Sequence, residues 1–136
     1  MSTQQPVEII LARQLASYLT VPIFLVDLEG TLLYYNAPAG EILGLRFEKT
    51  GRMPLEEWGQ AFRPTDEEGD PLQPEELPLA AALEGGRPVH GSMRIEGMDG
   101  ISRRIHVTGI PLEDQAKRRL GALAIFWETP VPGTGP

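Results

Sequence analysis

The acidic run between residues 66 and 70 is the densest group of side chains that could do chemistry in this sequence. Asp66, Glu67, Glu68 and Asp70 supply oxygen donors, the ligand type that Ca²⁺ and Mg²⁺ prefer. Their spacing does not complete an EF-hand loop, because Gly69 comes too early in the run. We therefore expect a solvated acidic turn here and no metal site.

Histidines and serines are the other candidate groups, and neither type forms a recognisable catalytic pattern. His90 and His106 fall in segments with strand-like alternation, opposite the apolar positions, so we expect them on a sheet surface. No serine has the context of a nucleophile elbow. The glycines of Gly85-Gly86-Arg87 follow a predicted helix, whereas a phosphate-binding loop opens one. No nucleophilic or phosphate-binding site is predicted.

Composition removes several classes of function. The chain has no cysteine, which excludes disulfides, thiolate metal sites, a cysteine nucleophile and thioether-linked haem. Its net charge of −7 disfavours binding to nucleic acid, whose phosphates repel an acidic surface. No apolar run is long enough to cross a bilayer and no signal peptide is visible, so we expect no membrane and a cytoplasmic location.

The first third of the chain predicts a helix followed by a hairpin and a short helix. Apolar residues recur at helical spacing after Pro6, and Val21-Pro22 ends that helix. Residues 23–26 and 31–35 are β-rich runs on either side of a turn with Gly30. Asn36 is suited to cap a helix that Gly44 then ends.

The rest of the chain predicts an irregular segment, one helix and three strands. Residues 45–72 are broken by proline and glycine, with one helical turn near Trp58. A helix is predicted over 74–84, beginning either at Pro74 or at Pro78. Strands are predicted over 89–96, 101–110 and 120–127. Two groups of hairpins without crossover helices predict an α+β fold with a mostly antiparallel sheet and helices on one face.

Several short motifs, taken in order, resemble the PAS family of sensory domains. Phe24-Leu25-Val26-Asp27 with Gly30 is similar to its first strand and turn, and Tyr35-Asn36-Ala37-Pro38-Ala39 with Ile42-Leu43-Gly44 is similar to its second strand and first short helix. Residues 76–85, Asp99-Gly100 and Gly109-Ile110-Pro111-Leu112 are similar to later parts of the family. The resemblance covers residues 21–128, and it sets the remaining segments apart as an N-terminal amphipathic helix over 1–20 and a loose Pro/Gly tail over 129–136.

The resemblance implies a five-stranded antiparallel sheet in the order 2-1-5-4-3, with a pocket between the sheet and the central helices. It implies a module that senses a ligand, cofactor or partner and passes a shift to a neighbouring domain or chain. It also argues against two cofactors. The family's haem histidine comes from a helix over the pocket, and the helix over 74–84 has none; the covalent flavin reaction needs a cysteine. A non-covalently bound small ligand remains open.

The end of the last strand departs from the family. Many family members continue through Asp-Ile-Thr into a signalling helix, whereas this chain has Glu128-Thr129-Pro130, and Pro130 blocks an immediate helical continuation. We expect either a stand-alone PAS protein or a piece of a larger sensor, such as a sensor histidine kinase.

Large apolar side chains are the candidates for lining the pocket, with Trp58 and Phe62 as candidates for gating it. The same residues could instead fill a closed core, because protein interiors are close-packed. The predicted lining residues are Phe24, Tyr35, Trp58, Phe62, Leu79, Leu83, Met93, Ile105, Val107, Ile125 and Trp127.

The apolar stripe of the N-terminal helix must be buried, either on its own sheet or against the same helix of a second chain. The family resemblance favours a homodimer through this helix and the outer face of the sheet, near Thr31, Arg104, His106 and Ala124. The predicted interface residues are Val7, Ile10, Leu11, Leu15 and Tyr18.

Three functions are therefore compared. The first is a non-catalytic sensor that binds a small apolar ligand or a protein partner. The second is a structural PAS dimerisation module with a filled core and no ligand. The third is an enzyme, for which Tyr35 and Glu41 are the only nearby acid–base candidates.

Overall fold

Five antiparallel strands form one sheet in the computed structural model, which describes residues 5–129. The strands are β1 (Ile23–Asp27), β2 (Leu32–Tyr35), β3 (Val89–Glu96), β4 (Ser102–Glu113) and β5 (Arg119–Glu128). Their spatial order is β2-β1-β5-β4-β3, which confirms the predicted fold class and topology. The first and last strands are therefore neighbours at the centre of the sheet. The predicted loose tail lies, from residue 130 onward, outside the described residues.

Within the described residues, five α-helices and one 3-10 turn complete the fold. They are α1 (Val7–Tyr18), α2 (Ala37–Leu43), α3 (Phe47–Thr50), α4 (Leu55–Ala61), the 3-10 turn Pro74–Glu76 and α5 (Pro78–Gly85). Asn36 caps α2 by accepting a hydrogen bond from the backbone N–H of Ala39, and Gly44 ends α2 at φ 82°. None of these helices is long and apolar enough to span a bilayer.

The segment between α2 and α5 is more ordered than the sequence indicated. The region expected to hold one helical turn contains both α3 and α4. The helix predicted over 74–84 is divided at Pro78, because Leu77 before it is extended (ψ 143°), as a residue preceding proline prefers. The prolines that break the periodicity thus act as first residues of short helices.

The inner face of the sheet carries the main core. Side chains from all five strands, including Phe24, Val107 and Phe126, pack against helices α2 to α5. Helix α5 lies on β4 at backbone contact: a Cβ at Gly109 would stand 2.6 Å from the carbonyl oxygen of Pro78. Glycine is needed there because any side chain would collide with the helix.

The outer face of the sheet is covered only in part, by α1. Ile9 packs with Leu25 of β1 and Leu33 of β2, and Ala12 lies beside them. Arg13 adds a cation–π contact, with its guanidinium 4.9 Å from the ring centroid of Tyr34. The helix therefore docks on its own sheet through a stripe of mostly small residues.

Candidate functional site

An apolar cavity of about 70 Å³ lies between the inner face of the sheet and helices α4 and α5. Strands β3, β4 and β5 form its floor, and α4 with the following residues closes one side. The side chains around it are Phe24, Leu43, Trp58, Phe62, Pro64, Leu77, Pro78, Leu79, Met93, Ile95, Ile105, Val107, Ala124 and Phe126. The cavity is about half as large as the ~150 Å³ cavity known to bind benzene in another protein. It would hold a short aliphatic chain.

Seven of the predicted pocket residues line this cavity: Phe24, Trp58, Phe62, Leu79, Met93, Ile105 and Val107. Tyr35 stacks on Phe24, with ring centroids 5.9 Å apart, and lies beyond the cavity wall. Leu83 packs against the core from α5 without reaching the cavity.

Ile125 and Trp127 do not line the cavity, contrary to the prediction. The pairing of Phe24 with Ala124 and of Val107 with Phe126 places the even-numbered residues of β5 on the inner face. Ile125 and Trp127 therefore point outward, and Trp127 is 46% exposed. Ala124 is an even-numbered residue of β5 and faces the cavity, so its predicted position near the dimer contact on the outer face is wrong.

Phe126, Ala124 and Ile95 are lining residues that the sequence analysis missed. Strand β5 is apolar at almost every position, so alternation alone does not choose between its faces. Ile95 shares the parity of Met93, which was a signal that could have found it. Pro64 lies in an irregular segment, where no periodicity reports which side chains point inward.

No polar side-chain group offers a free hydrogen bond inside the cavity. The indole N–H of Trp58 points away to donate to the carbonyl oxygen of Gly30 at 2.8 Å. Within residues 5–129, every buried side-chain nitrogen and oxygen has a hydrogen-bond partner. A carboxylate or an amide placed in the cavity would lose its hydration without compensation, whereas an apolar group would not.

The acid–base candidates Tyr35 and Glu41 both line a second pocket of the molecule, beside α2 and α3. The phenol of Tyr35 donates to the carbonyl oxygen of Leu45 and accepts from the Thr50 hydroxyl at 3.4 Å. Burial raises the pKa of Tyr35, and the hydrogen bond from Thr50 partly opposes that rise. Glu41 is exposed on α2. Neither residue borders the apolar cavity.

The histidines and the acidic run have structural contacts. The His90 ring nitrogen Nδ1 lies 2.9 Å from the Thr108 hydroxyl on the outer face, and the ring of His106 lies beside Trp127. Asp66 accepts backbone hydrogen bonds from Glu68 and Asp70, which closes a tight turn. Within the described part of the chain, no three His, Asp or Glu side chains gather where they could hold a metal ion.

The five predicted interface residues all lie on the solvent side of α1. Val7, Ile10, Leu11, Leu15 and Tyr18 are between 51% and 76% exposed. Large apolar side chains are rarely left together on the surface of a monomer, so the exposure of this stripe is consistent with the predicted interface, which stays a prediction.

Asn36 connects α1 to the helices over the cavity. It is 2% exposed, and its amide nitrogen donates to the carbonyl oxygens of Ala16 at 3.0 Å and Val21 at 2.8 Å. Its amide oxygen accepts from the backbone N–H groups of Ile23 at 3.0 Å and Ala39 at 3.2 Å. One side chain thus links the end of α1, the start of β1 and the start of α2. The sequence indicated only the cap on α2.

The opposite end of α2 is held by the turn between β3 and β4. The Arg103 guanidinium donates to the carbonyl oxygen of Ile42 at 2.8 Å and to the Asp99 carboxylate at 2.9 Å. The hydrogen bond from Arg103 holds the pKa of Asp99 below its usual range, and the backbone N–H of Ile101 adds to this effect. Helix α2 is therefore attached at both ends to segments that reach other parts of the sheet.

The family model described as PAS fold matches residues 10–127. Among curated proteins, no sequence matches this chain. Many solved structures match, and the following three are examples.

The LOV protein of Rhodobacter sphaeroides is 17% identical, covers 95% of this chain and 71% of its own, and has a TM-score of 0.71. The PAS domain of BvgS from Bordetella pertussis is 16% identical, with coverages of 90% and 86% and a TM-score of 0.61. The PAS domain of nitrogen regulation protein NR(II) from Vibrio parahaemolyticus is also 16% identical, with coverages of 88% and 98% and a TM-score of 0.61. At these identities the likeness concerns the fold alone.

Proposed function

Because this chain belongs to the PAS family, we propose that it is a non-catalytic sensory module that binds a small apolar ligand and relays a conformational change. The observation that carries the proposal is the cavity of about 70 Å³ on the inner face, with no free polar group around it. Such a site favours a ligand that makes no hydrogen bonds inside it.

Strand β1 offers a route from the cavity to α1. Phe24 borders the cavity, while its neighbour Leu25 packs under α1 on the other face. A ligand that displaced Phe24 would therefore move Leu25 and the surface on which α1 packs. If α2 also moved, the hydrogen bonds of Asn36 would transmit that movement to α1. A real switch of this type couples its two sites by about 1–3 kcal/mol.

The output in this proposal is a homodimer that uses the exposed stripe of α1. Among the solved structures of similar fold is the light-state dimer of the fungal photoreceptor Vivid, so the fold is compatible with dimer formation. Ligand binding would change how α1 presents Leu11 and Leu15 to the second copy.

Native mass spectrometry of the purified chain, compared with a denatured sample, tests the ligand claim. We expect a retained small molecule, or thermal stabilisation by members of a panel of small apolar compounds. Val107→Phe should fill the cavity and abolish both signals, whereas Thr108→Phe on the outer face should not. A clean unliganded mass together with no thermal shift from the whole panel would reject the sensor.

The small volume of the cavity also supports a second function, a structural PAS dimerisation module with a filled core. The inner face is otherwise packed from β2 to β3. This alternative predicts the same dimer but no response to any ligand, so the experiment above separates the two.

A further inference from the structure

The cavity on the inner face is enclosed by buried residues. Every residue that lines it is buried, including Pro64 in the irregular segment and Pro78 at the start of α5. None of the lining side chains carries a charge, and among them only Trp58 has a polar group. A ligand of this cavity therefore lies wholly inside it, with no part that stays in solvent.

The polar groups around the cavity already have partners. The indole N–H of Trp58 donates to the carbonyl oxygen of Gly30 at 2.8 Å. Pro64 and Pro78 have no backbone N–H. The strands beside the cavity pair with one another, β3 with β4 and β4 with β5. A hydroxyl, amino or carboxylate group in the cavity would lose its hydration and find no partner among the described residues that line it, which is unfavourable.

The volume of the cavity limits the ligand to a few atoms. The cavity measures about 70 Å³, whereas an apolar cavity of ~150 Å³ holds one benzene molecule. By proportion, this cavity holds about three carbon atoms. Water does not compete for this space, because apolar cavities without hydrogen-bond partners stay dry.

A small molecule can reach the cavity through the wall at Pro64. This residue lines both the cavity and a surface groove of about 380 Å³, so it alone separates the two there. The wall is held to the edge of the sheet by backbone hydrogen bonds from Glu96 to Phe62 and from Thr65 to Arg94, both at 2.8 Å. A ligand of a few atoms needs only a brief displacement of Pro64 to enter.

We infer that the ligand of this cavity is a single non-polar molecule of about two to four heavy atoms, a dissolved gas or a volatile hydrocarbon, which is taken up whole. The inference rests on the proposed function, since it names the ligand class of the same cavity. It excludes an aromatic ring, for which the cavity is too small. It also excludes an alkyl chain with a polar end, because the enclosure leaves no place for the polar group.

Two isoleucines on opposite faces of the sheet provide matched reporters of binding. Ile105 lines the cavity, whereas Ile125 points to the outer face. A molecule inside the cavity changes the NMR chemical shifts of the Ile105 methyl groups until the site is full. Loose adsorption to exposed apolar side chains produces no saturable change at Ile105.

Titration of the full chain with propane and with ethanol tests the polarity of the ligand. The two molecules have the same number of heavy atoms, so they differ in the hydroxyl group and little in size. We expect propane to saturate the shift at Ile105 and to bind at least about tenfold more tightly than ethanol, because a hydroxyl group would be buried without a partner. Equal affinities would overturn the inference but leave the sensor intact.

Xenon and hexane test the size of the ligand. Xenon should also saturate the shift at Ile105, since an atom without any polar group fits such a cavity. Hexane should bind more weakly than propane, although it is the more hydrophobic of the two. Tighter binding of hexane would overturn the size limit and leave the sensor intact. If no apolar compound of any size perturbs Ile105, the inference and the sensor fail together.

Dissolved dioxygen, which is paramagnetic, distinguishes the two sources of such a ligand. Faster relaxation of the Ile105 methyl groups than of the Ile125 methyl groups in air-saturated buffer supports a gas. Saturable binding of propane without that effect supports a hydrocarbon.

Val107→Phe and Thr108→Phe are the matched variants. The first fills the cavity and should remove the shift at Ile105, whereas the second lies on the outer face and should retain it. Loss in both variants would show that the shift does not report a molecule in the cavity, which would overturn the inference.

Discussion

On the inner face of the sheet, large side chains from all five strands interlock with four helices, whereas on the outer face one helix docks through Ile9, Ala12 and Ala16. The inner face completes its packing within the chain and leaves only a small apolar cavity. The outer face instead leaves Leu11, Leu15 and other large side chains in solvent. The two faces therefore differ in packing: the chain's own helices cover the inner one, and the helix on the outer one leaves large apolar side chains exposed.

The adjacent residues Phe126 and Trp127 test this difference most directly. Phe126→Ala should lower the free energy of unfolding by about 3–5 kcal/mol, because it removes a buried ring from the inner core. Trp127→Ala should cost less than about 1 kcal/mol, because nearly half of that side chain is already exposed. Urea unfolding of the two variants measures both values. Similar losses would mean that the two faces are not packed differently.

Asn36 is the link between the two faces, and its loss should be the next largest effect. Asn36→Ala removes four hydrogen bonds and leaves buried backbone groups without partners, so we expect a loss of about 2–4 kcal/mol in the free energy of unfolding. Asn36→Asp keeps the acceptor but loses the donors to Ala16 of α1 and to Val21.

Hydrogen exchange of the Asn36→Asp variant should therefore increase more at α1 than at the first residues of α2. Equal protection of α1 in the variant and the wild type would contradict the role of Asn36 as a link.

The exposed apolar stripe of α1 should control dimer formation, with little effect on the stability of the single chain. We expect the wild-type chain to be a dimer and Leu11→Glu, Leu15→Glu to have the 14.9 kDa mass of one chain. Both side chains are already exposed, so the stability of the single chain should change by less than about 1 kcal/mol. Size-exclusion chromatography with light scattering gives the mass.

Met98→Glu, Ile101→Glu is the matched control, because it adds the same charges at exposed apolar positions in the turn between β3 and β4. That variant should remain a dimer. A dimeric Leu11→Glu, Leu15→Glu chain would reject the contact through α1.

The smallest effect concerns the turn that holds α2 on the inner side. The pKa of Asp99 is lowered in the folded chain, so its ion pair with Arg103 stabilises the fold above the ordinary Asp pKa of 3.8. This contribution is lost as the pH falls through the lower, folded-state pKa. Asp99→Asn should flatten the dependence of the urea midpoint on pH below about 4.

Arg103→Gln should flatten the same dependence, and the double variant should add nothing further. Additive effects would show that the two side chains do not act as a pair.

The sequence predicted the fold well because turn residues and helix caps act locally. Asn36 and Gly44 delimit α2 as expected, and the alternation in β3 and β4 correctly placed Met93, Ile105 and Val107 on the inner face. Long-range arrangement is what this local information lacks. Strand β5 is a continuous apolar run, so its sequence does not show which of its residues face inward. Its pairing with β1 decides this, which is why Trp127 was wrongly placed on the inner face.

The site was less predictable than the fold for a similar reason. The cavity wall at Pro64 lies in a segment with no periodicity, and its position depends on hydrogen bonds to the edge strand β3. The further contacts of Asn36 with Ala16 and Val21 join residues that are distant in sequence. Neither arrangement leaves a pattern that spacing alone could report.

The contact between α5 and Gly109 sets the height of the cavity. The helix rests on the sheet because a single hydrogen atom stands where any other residue of β4 would have a side chain, and even a methyl group there would push the helix away. Gly109→Ala would therefore move α5 away from the sheet and enlarge the cavity, although no residue that lines the cavity is changed. In this architecture a substitution at the contact between α5 and β4 can change the size of ligand that the cavity accepts. The apolar character of the lining stays the same.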